Sequence, residues 1–403
     1  MHLHNPELEL YRRPGYSLER EFYTSEEVLT RDIGSLFLRN WLYAGHVSRI
    51  PDPGDYFLFG IGNESVIVIR ENKDAIRALL NVCRHRGSRI CAAPEGNAKT
   101  LVCPYHQWVY GRAGNLIHAR FMGGEFEAGE FGLAQASVRV LEGLIFICLA
   151  PDPPAFEPFA AAMTPRLRPH GLAGAKIAVT ARYTVHANWK LVLENSRECY
   201  HCRGGHPEYC RAVAFAAAIG SQELTAQDAA VERERHAEVR SLGLVTDPVP
   251  FTLGGWYHFR RFYLRPGCVT QSLDGGPVAP LMGSLPGWNT GAFAIVTLPN
   301  LLLEANSDYV MTLQVTPVRA GVTHAEISWL VRGEACPGVD YEERRLTEFW
   351  RRTSEQDWKL CEDNQLGVDS LAYRPGPYGP HEQGVEQFAD WYIRQFDAEA
   401  PRG

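Results

Sequence analysis

Two closely spaced pairs of cysteine and histidine constrain the fold of this 403-residue chain more than any other feature. The first pair is Cys83 and His85, and the second, after seventeen intervening residues, is Cys103 and His106. Separated by one loop, the two pairs supply two thiolates and two imidazoles. Thiolates and imidazoles are the side chains that most often hold a metal in proteins, so the spacing predicts a metal centre.

Three interpretations of these four residues are open. A single zinc ion would accept all four, although zinc fingers usually pair like with like, as CxxC followed by HxxxH. One cysteine and one histidine in each half suit a [2Fe–2S] centre in which one iron takes both sulfurs and the other takes both nitrogens. The third interpretation, four unconnected core residues, is disfavoured by the spacing and by the flanking Gly87, Pro104 and Gly111.

Local composition divides the chain into three parts. Residues 1–45 mix polar turns with a helical pattern and predict an N-terminal helical arm. Residues 46–153 hold short runs rich in Val, Ile, Phe and Tyr that are interrupted by Gly, Pro and Asn, which is typical of an all-β unit. After a proline-rich linker at 151–154, residues 154–403 mix helical and strand-like runs and predict a larger α+β domain. The expected fold class is therefore α+β.

Charge and cysteine content exclude several classes of protein. The chain carries 40 basic and 47 acidic side chains, a net charge of −7, and has no long Lys/Arg block, so it lacks the electrostatic footprint of a nucleic-acid-binding protein. No secretory signal and no apolar stretch of about 18 residues is visible. We therefore expect a cytoplasmic protein that makes no contact with membranes, whose ten cysteines are reduced rather than disulfide-bonded.

A second group of candidate ligands lies in the α+β part. Residues 188–201 predict a helix, because Trp189, Val192 and Ser196 fall on one face. His201 and His206 follow, and residues five apart on a helix point about 140° away from each other. Both imidazoles could converge only if the helix broke between them, and the intervening glycines at 204 and 205 predict that break.

A carboxylate further along the chain completes this group. Residues 341–366 predict a long helix with apolar side chains at Leu346, Phe349, Trp350, Leu360 and Cys361, and Asp357 falls on the same face. A carboxylate there needs an ion-pair partner or a metal. The ion-pair alternative would use one of the arginines at 344, 345, 351 or 352. Two imidazoles and one carboxylate are the facial triad of non-haem Fe(II) oxygenases.

Both groups of residues resemble one protein family. The segments around Cys83 and Cys103 resemble the Rieske iron–sulfur motif. Respiratory Rieske proteins carry an extra cysteine in each ligand loop, and Ser88 and Tyr105 stand in those places here, so the resemblance points to the Rieske oxygenases. The catalytic-domain motifs of their α subunits resemble Asn188-Trp189-Lys190, Glu194-Asn195, Tyr200-His201, His206-Pro207 and Glu355-Gln356-Asp357.

This resemblance implies an all-β Rieske domain and a catalytic domain with a central antiparallel sheet flanked by helices. It makes Cys83, His85, Cys103 and His106 the cluster ligands, and His201, His206 and Asp357 the ligands of a mononuclear Fe(II). Glu198 stands where the family has an acidic residue that bridges the two metal centres, although most ring-hydroxylating members have Asp there. By analogy the bridge joins His106 to His201; the alternative for Glu198 is a solvated helix carboxylate.

The resemblance also implies partners. In the family, electrons pass from the cluster of one subunit to the iron of a neighbouring subunit, so a head-to-tail homotrimer is expected. The chain has no GxGxxG and no flavin or nicotinamide fingerprint. A separate flavin/iron–sulfur reductase is therefore expected to supply electrons from NAD(P)H.

The substrate class is expected from a closer resemblance. Segments at 194–202, 340–341, 373–378 and 390–392 are similar to the branch that acts on quaternary ammonium compounds, which includes glycine betaine and proline betaine demethylases and choline monooxygenases. Oxidation of an N-methyl group there releases formaldehyde. Aromatic faces bind such cations, and the densest aromatic stretch predicts Trp256, Tyr257, Phe259 and Tyr263 as candidates. Ordinary core aromatics are the alternative for this stretch.

Two other functions remain as alternatives. An aromatic-ring hydroxylating dioxygenase α subunit would share both metals but would form diols without formaldehyde. A zinc-stabilised binding module would have no catalytic activity and no colour. The visible spectrum and the products distinguish the three.

Overall fold

The computed structural model describes residues 13–123, 125–213, 226–252 and 254–397. It divides into two compact units, Phe37–Phe156 and the remainder, which joins Met1–Leu36 to Glu157–Gly403. The predicted arm ended at residue 45, but strand β1 (Leu42–His46) pairs with the last strand of the first unit, so residues 37–45 belong to that unit. Residues 1–12 of the predicted arm and 398–403 of the catalytic part lie outside the described residues.

The first unit is all-β. A seven-stranded antiparallel sheet has the order β1-β10-β9-β4-β3-β2-β5, and a three-stranded sheet has the order β6-β7-β8. After β1 the strands are β2 Asp55–Ile61, β3 Glu64–Arg70, β4 Ile76–Leu80, β5 Glu95–Asn97, β6 Leu101–Val102, β7 Val109–Tyr110, β8 Leu116–His118, β9 Gln135–Leu141 and β10 Leu144–Cys148.

Local sequence explains this sheet. The run Val66–Ile69 is buried on both faces, as expected of a strand in the centre of a sheet. Leu141 pairs with Leu144 across a two-residue turn in which Glu142 and Gly143 both have positive φ, the geometry that matches the twist of a tight hairpin. The predicted strands around 56–59, 65–69 and 144–147 are confirmed.

The second unit is built on one six-stranded antiparallel sheet of order β11-β16-β15-β14-β13-β12. Its strands are β11 Lys176–Val185, β12 Tyr257–Phe262, β13 Ala292–Thr297, β14 Leu301–Ala305, β15 Val310–Arg319 and β16 Val322–Val331. Its helices are Glu21–Thr24, Glu26–Asp32, Glu157–Leu167, Trp189–Asn195, Cys202–Gly205, Tyr209–Ala212, Ala226–Ser241, Glu343–Asp369 and Gln383–Asp397. The predicted α+β architecture with a central antiparallel sheet is confirmed. Across the described ranges, no helix combines the length and the apolar character needed to cross a membrane.

The long helix Glu343–Asp369 extends the predicted helix by three residues at its C-terminal end. Leu346, Phe349, Trp350 and Cys361 are buried along one face, as the sequence predicts. Leu360, which was expected on the same stripe, is 38 % exposed.

A fully buried carboxylate joins three helices behind the candidate ligands. Asp32 accepts hydrogen bonds from Lys190 Nζ at 2.6 Å, from Trp189 Nε1 at 3.0 Å and from the Tyr392 hydroxyl at 2.7 Å. Both charged side chains have no solvent exposure. Burial lowers the pKa of Lys190, and the attraction of Asp32 opposes that shift. The pair fixes helix Trp189–Asn195, which leads into the candidate ligands.

Replacing Asp32 by Ala is expected to lower the free energy of unfolding of the second unit by about 3–5 kcal/mol, because the Lys190 ammonium would stay buried without its counter-ion. Denaturant titration followed by far-ultraviolet circular dichroism measures the loss. The matched control is Asp152→Ala at an exposed position, where the expected change is within about 0.5 kcal/mol. Equal stability of the two variants would contradict the assignment.

Candidate metal centres

The four cluster candidates lie on two loops of the first unit that have the same local form. Cys83 and His85 follow β4, and Cys103 and His106 connect β6 to β7. In the first loop the N–H of Gly87 donates to the carbonyl of Cys83 at 2.9 Å, and in the second the N–H of Gln107 donates to that of Cys103 at 3.0 Å. The rings of His85 and His106 lie 4.5 Å apart between centroids, so the fold brings both pairs together.

The two cysteines and the two histidines of this group have different surroundings. Cys83 and Cys103 are buried free thiols within the core, whereas His85 and His106 are half-buried. Burial raises the pKa of Cys103, but the backbone N–H groups of Tyr105 and His106 outweigh it, so the net pKa lies below the usual value. Such a thiol is a ready metal ligand.

The donor atoms fit a [2Fe–2S] cluster. The Nδ1 atom of His85 is buried and has no hydrogen-bond partner among the residues described, as expected of an atom that serves as a ligand. The Tyr110 hydroxyl lies 3.3 Å from Cys83 Sγ and accepts a hydrogen bond from the N–H of Arg84 at 3.0 Å. Sulfur contacts of this kind tune a cluster's reduction potential.

Asn81 holds the first ligand loop in place. Its side-chain oxygen accepts from the N–H groups of Ile90 and Cys91, both at 2.9 Å, and its amide donates to the Cys91 carbonyl at 2.8 Å and the Ser65 hydroxyl at 3.1 Å. The side chain is completely buried. Sequence analysis gave Cys91 no role, and the structure uses its backbone as an anchor for the loop.

We expect Asn81→Leu to make the cluster labile, because three backbone groups would lose their partners at about 1–3 kcal/mol each. The measurement is the rate at which the visible absorbance of the purified protein bleaches in the presence of a chelator. Ser65→Ala removes a single bond of the four and serves as the control. Bleaching no faster in Asn81→Leu than in Ser65→Ala would contradict the role.

The second group of candidates also converges. Asp357 Oδ1 lies 3.3 Å from His201 Nε2 and 3.5 Å from His206 Nε2, and the two rings are 5.0 Å apart between centroids. Donor atoms at these separations can all lie about 2.0–2.2 Å from one ion. The three residues therefore fit a metal that keeps open positions.

The backbone reaches this geometry differently from the prediction. The helix ends at Asn195 and does not continue to His201; one helical turn, Cys202–Gly205, then separates the two histidines. The predicted break between the two histidines is present but falls at His206 (φ −140°, ψ 82°), because Gly204 and Gly205 still belong to the helical turn. Glu198 explains the early end, because its carboxylate accepts hydrogen bonds from the N–H groups of Tyr200 and His201 and stabilises a turn there.

Glu198 also contacts the candidate ligand directly. Its Oε1 lies 2.5 Å from His201 Nδ1, so it is a partner of that imidazole rather than a solvated carboxylate. Burial lowers the pKa of His201, but hydrogen bonds to Asp357 and Glu198 outweigh it and raise the pKa to about 9. For His206 burial dominates and lowers the pKa.

Among the described residues, no arginine forms an ion pair with Asp357. Arg344 and Arg352 pair with Glu348, and Arg345 pairs with Asp274. Arg351 donates to the hydroxyl of Thr347. The buried-ion-pair alternative is thus not what the structure contains.

One pair of cysteines departs from the expectation of free thiols. Cys199 and Cys202 form a disulfide, with Cα atoms 4.9 Å apart on either side of the turn that carries His201. The Cα separation lies within the usual range for disulfides. The other eight cysteines are free, as predicted.

A cavity of about 340 Å³ opens beside His201, His206 and Asp357. Strands β12 to β15 form one wall, and Trp350 with Trp358 of the long helix lies in another. Among the four aromatic residues predicted to contact substrate, Phe259 lines the cavity, but Trp256, Tyr257 and Tyr263 do not.

These three residues pack elsewhere: Tyr257 alternates with 258 and 260 along β12, whereas Trp256 precedes the strand and Tyr263 follows it. Trp256 and Tyr257 pack on Phe159 at 4.7 and 5.1 Å between centroids, and Tyr263 packs on His236 at 5.1 Å. The side chains at 258, 260 and 262 line the cavity instead. Sequence reasoning missed Arg260 and the buried Glu304; for Glu304 the signal was a single charged residue within the otherwise apolar strand β14.

Comparisons with known proteins match each part of the chain to a family. Residues 40–131 match the Rieske [2Fe-2S] domain family, and residues 174–398 match the ring hydroxylating alpha subunit (catalytic domain) family. The chain is 36 % identical over 402 residues to the glycine betaine monooxygenase oxygenase subunit of Chromohalobacter salexigens, covering 97 % of this chain and 89 % of that one. It is also 36 % identical to the same subunit of Pseudomonas aeruginosa PAO1, over 94 % of this chain and 89 % of the relative.

Solved structures agree in fold. The quaternary ammonium Rieske monooxygenase CntA superposes with a TM-score of 0.72 at 21 % identity, covering 97 % of this chain and 98 % of that chain. Naphthalene 1,2-dioxygenase from Rhodococcus sp. gives a TM-score of 0.69 at 20 % identity over 95 % of both chains. Family membership over nearly the whole length rules out the zinc-stabilised binding module, and the chain belongs to the α subunits of the Rieske non-haem iron oxygenases.

Proposed function

We propose that this chain is the oxygenase component of a monooxygenase system that removes an N-methyl group from a quaternary ammonium compound similar to glycine betaine or proline betaine. The observation that carries the proposal is a cavity that ends at His201, His206 and Asp357 in a chain 36 % identical, over 97 % of its length, to a glycine betaine monooxygenase subunit. The naphthalene dioxygenase relative of Pseudomonas aeruginosa, by contrast, is matched over only 55 % of this chain.

Each metal group would be held by residues already brought together. Cys83, Cys103, His85 and His106 would hold the [2Fe–2S] cluster, and His201, His206 and Asp357 would hold Fe(II). When bound, these groups supply single-electron transfer and the activation of O2. The overall reaction consumes substrate, O2, two electrons and two protons, and yields an N-hydroxymethyl product and water. The bond between the nitrogen and the hydroxymethyl carbon then breaks and the hydroxyl proton is released, which gives formaldehyde, a tertiary amine and one proton.

The protein's own side chains orient these groups. Glu198 fixes the ring of His201 through Nδ1 and the turn through the backbone. In a homotrimer the same carboxylate would contact His106 of a neighbouring subunit and so join the cluster of one chain to the iron of the next. Ala294 and Val296 of β13 and Leu302 of β14 give the cavity an apolar wall.

Electrons must come from elsewhere, because the chain shows no nucleotide-binding fingerprint. We propose a separate flavin/iron–sulfur reductase that uses NAD(P)H. We also propose the cytoplasm as the compartment, where this reductant is available.

A substrate panel with a surrogate reductase tests the proposal. Glycine betaine, proline betaine, choline and an aromatic acid are supplied in turn, and O2 uptake, formaldehyde and diol formation are measured. Release of formaldehyde from a quaternary ammonium compound, in proportion to the O2 consumed, supports N-demethylation. Diol from the aromatic acid with no formaldehyde from any ammonium compound overturns it in favour of a ring dioxygenase.

A further inference from the structure

The sheet wall of the cavity carries one cation and one anion in a single row. Arg260 pairs with Ala294, Ala294 pairs with Glu304, and Glu304 pairs with Met311 across strands β12 to β15. Cross-strand partners in an antiparallel sheet project from the same face, and all four line the cavity. Arg260 and Glu304 are two strand spacings apart, roughly 10 Å between backbones. The small side chain of Ala294 leaves the space between them open.

The cationic end is a cluster of three donors. Arg260 lines the cavity, and burial lowers its pKa while the attraction of Glu232, on helix Ala226–Ser241, opposes that shift without a hydrogen bond or close ion pair among the described residues. His258 lies two residues earlier on the same face, with Nδ1 buried and unpartnered among the described residues. Arg197 lines the same cavity; its Nε donates to the Gly384 carbonyl at 2.8 Å, while its Nη1 is buried and lacks a partner within the described ranges.

These orphan donors point to an anionic ligand. Buried polar nitrogens are nearly always hydrogen-bonded, so Arg197 Nη1 and His258 Nδ1, both without partners among the described residues, indicate a missing partner at this end of the cavity. A planar carboxylate matches the fork of an arginine. Burial and the two arginines together lower the pKa of His258 to about 3, so the ring stays neutral and adds no third charge that would have to be balanced.

The anionic end is suited to a cation without N–H groups. Glu304 receives one hydrogen bond, from Gln271 at 2.8 Å, and is otherwise surrounded by cavity and apolar wall. Burial raises the pKa of Glu304 to about 7, and the hydrogen bond from Gln271 opposes that shift. Tyr209 and Trp350 line the cavity, with ring centroids 6.0 Å apart, and Tyr209 lies 6.0 Å from the ring of His206. Aromatic faces and one carboxylate are the surroundings that a quaternary ammonium group prefers.

We propose that the cavity binds both ends of a zwitterion: the substrate's carboxylate among Arg260, Arg197 and His258, and its quaternary ammonium beside Glu304, Tyr209 and Trp350. An N-methyl group then faces His201, His206 and Asp357. This inference rests on the proposed function and narrows it, because it selects betaines and excludes cationic amino alcohols such as choline. Arg260 and Glu304 are the residues that determine this selectivity.

Binding measured by calorimetry on the oxygen-free holoenzyme tests the inference without turnover. Glycine betaine and choline are the two ligands, since they share the trimethylammonium group and differ in the carboxylate. A charge-assisted pair contributes about 1.5–3 kcal/mol, so the wild type should bind glycine betaine about 10- to 150-fold more tightly than choline. Arg260→Met should weaken the binding of glycine betaine by that factor and change the affinity for choline by less than about twofold. Arg260→Lys, which keeps the charge, should restore part of it.

Two further variants complete the test. Glu304→Gln should weaken the binding of both ligands by a similar factor, because both carry the ammonium group. The ratio of the two affinities should stay unchanged. Arg265→Met removes an exposed arginine that follows the same strand and does not line the cavity, and it should change neither affinity.

The results that overturn the inference differ from those that overturn the proposed function. If the wild type binds the two ligands equally tightly, or if Arg260→Met weakens the binding of both equally, the proposed recognition of the carboxylate is wrong. In that case, formaldehyde release from both compounds would still support N-demethylation. If neither ligand binds and neither yields formaldehyde, both proposals fail.

Discussion

His201→Ala is expected to abolish substrate-coupled O2 consumption and to leave the visible spectrum of the iron–sulfur cluster unchanged. His201 contributes one of three converging donor atoms, and the cluster candidates lie in the other unit. Loss of a residue that merely supports a ligand costs about 10- to 100-fold in metal affinity or activity, so loss of a ligand should exceed that range. The measurements are O2 uptake, mononuclear iron content and the absorbance of the reduced and oxidised protein.

The reciprocal variant is Cys103→Ser, which should bleach the protein. Iron bound at the second group should remain, because those three ligands are unchanged. A His201→Ala protein that loses the brown colour would contradict the assignment of two independent metal sites. A colourless wild type would contradict the cluster itself.

Glu198→Gln is expected to slow turnover by about 10- to 100-fold or more while both metal sites stay loaded, because the carboxylate fixes His201 and would join it to the neighbouring subunit's cluster. Stopped-flow mixing of the reduced protein with O2 and substrate should show slow reoxidation of the cluster. This readout separates a role in electron transfer from a role in stability.

Glu198→Asp is the matched control for that experiment. It keeps the charge but shortens the reach to His201 by one methylene, so we expect an intermediate rate of reoxidation. Unchanged reoxidation in Glu198→Gln would place Glu198 outside the electron path. A matching loss of iron would instead show that its role is to hold the ligand.

The metal candidates could be predicted from the sequence because ligand chemistry restricts both residue type and spacing. Cys83 with His85, and Cys103 with His106, lie on two loops that fold alike, and no long-range information was needed to recognise them. Asp357 could be found because a carboxylate on an apolar helix face requires an explanation. The family resemblance then joined sites that are far apart in the chain.

Other features could not be predicted because they depend on contacts between distant segments. The early end of the helix at Asn195 results from the Glu198 carboxylate, whose effect on the turn competes with helical periodicity. Trp256 precedes β12 and packs on Phe159, and Tyr263 follows it and packs on His236; composition alone does not reveal these contacts. The row from Arg260 to Glu304 exists only through strand register, which a single sequence does not specify.

The buried carboxylate at Asp32 has a consequence for the order in which the molecule is assembled during synthesis. Its partners Lys190 and Tyr392 lie 158 and 360 residues further along the chain. The first unit is one continuous segment that ends at Phe156, so it can fold while the ribosome is still translating. The second unit can close this contact only after helix Gln383–Asp397 has emerged. A nascent chain stalled at residue 380 should therefore contain a protease-resistant first unit beside a protease-sensitive second one, and equal resistance of both would contradict this order.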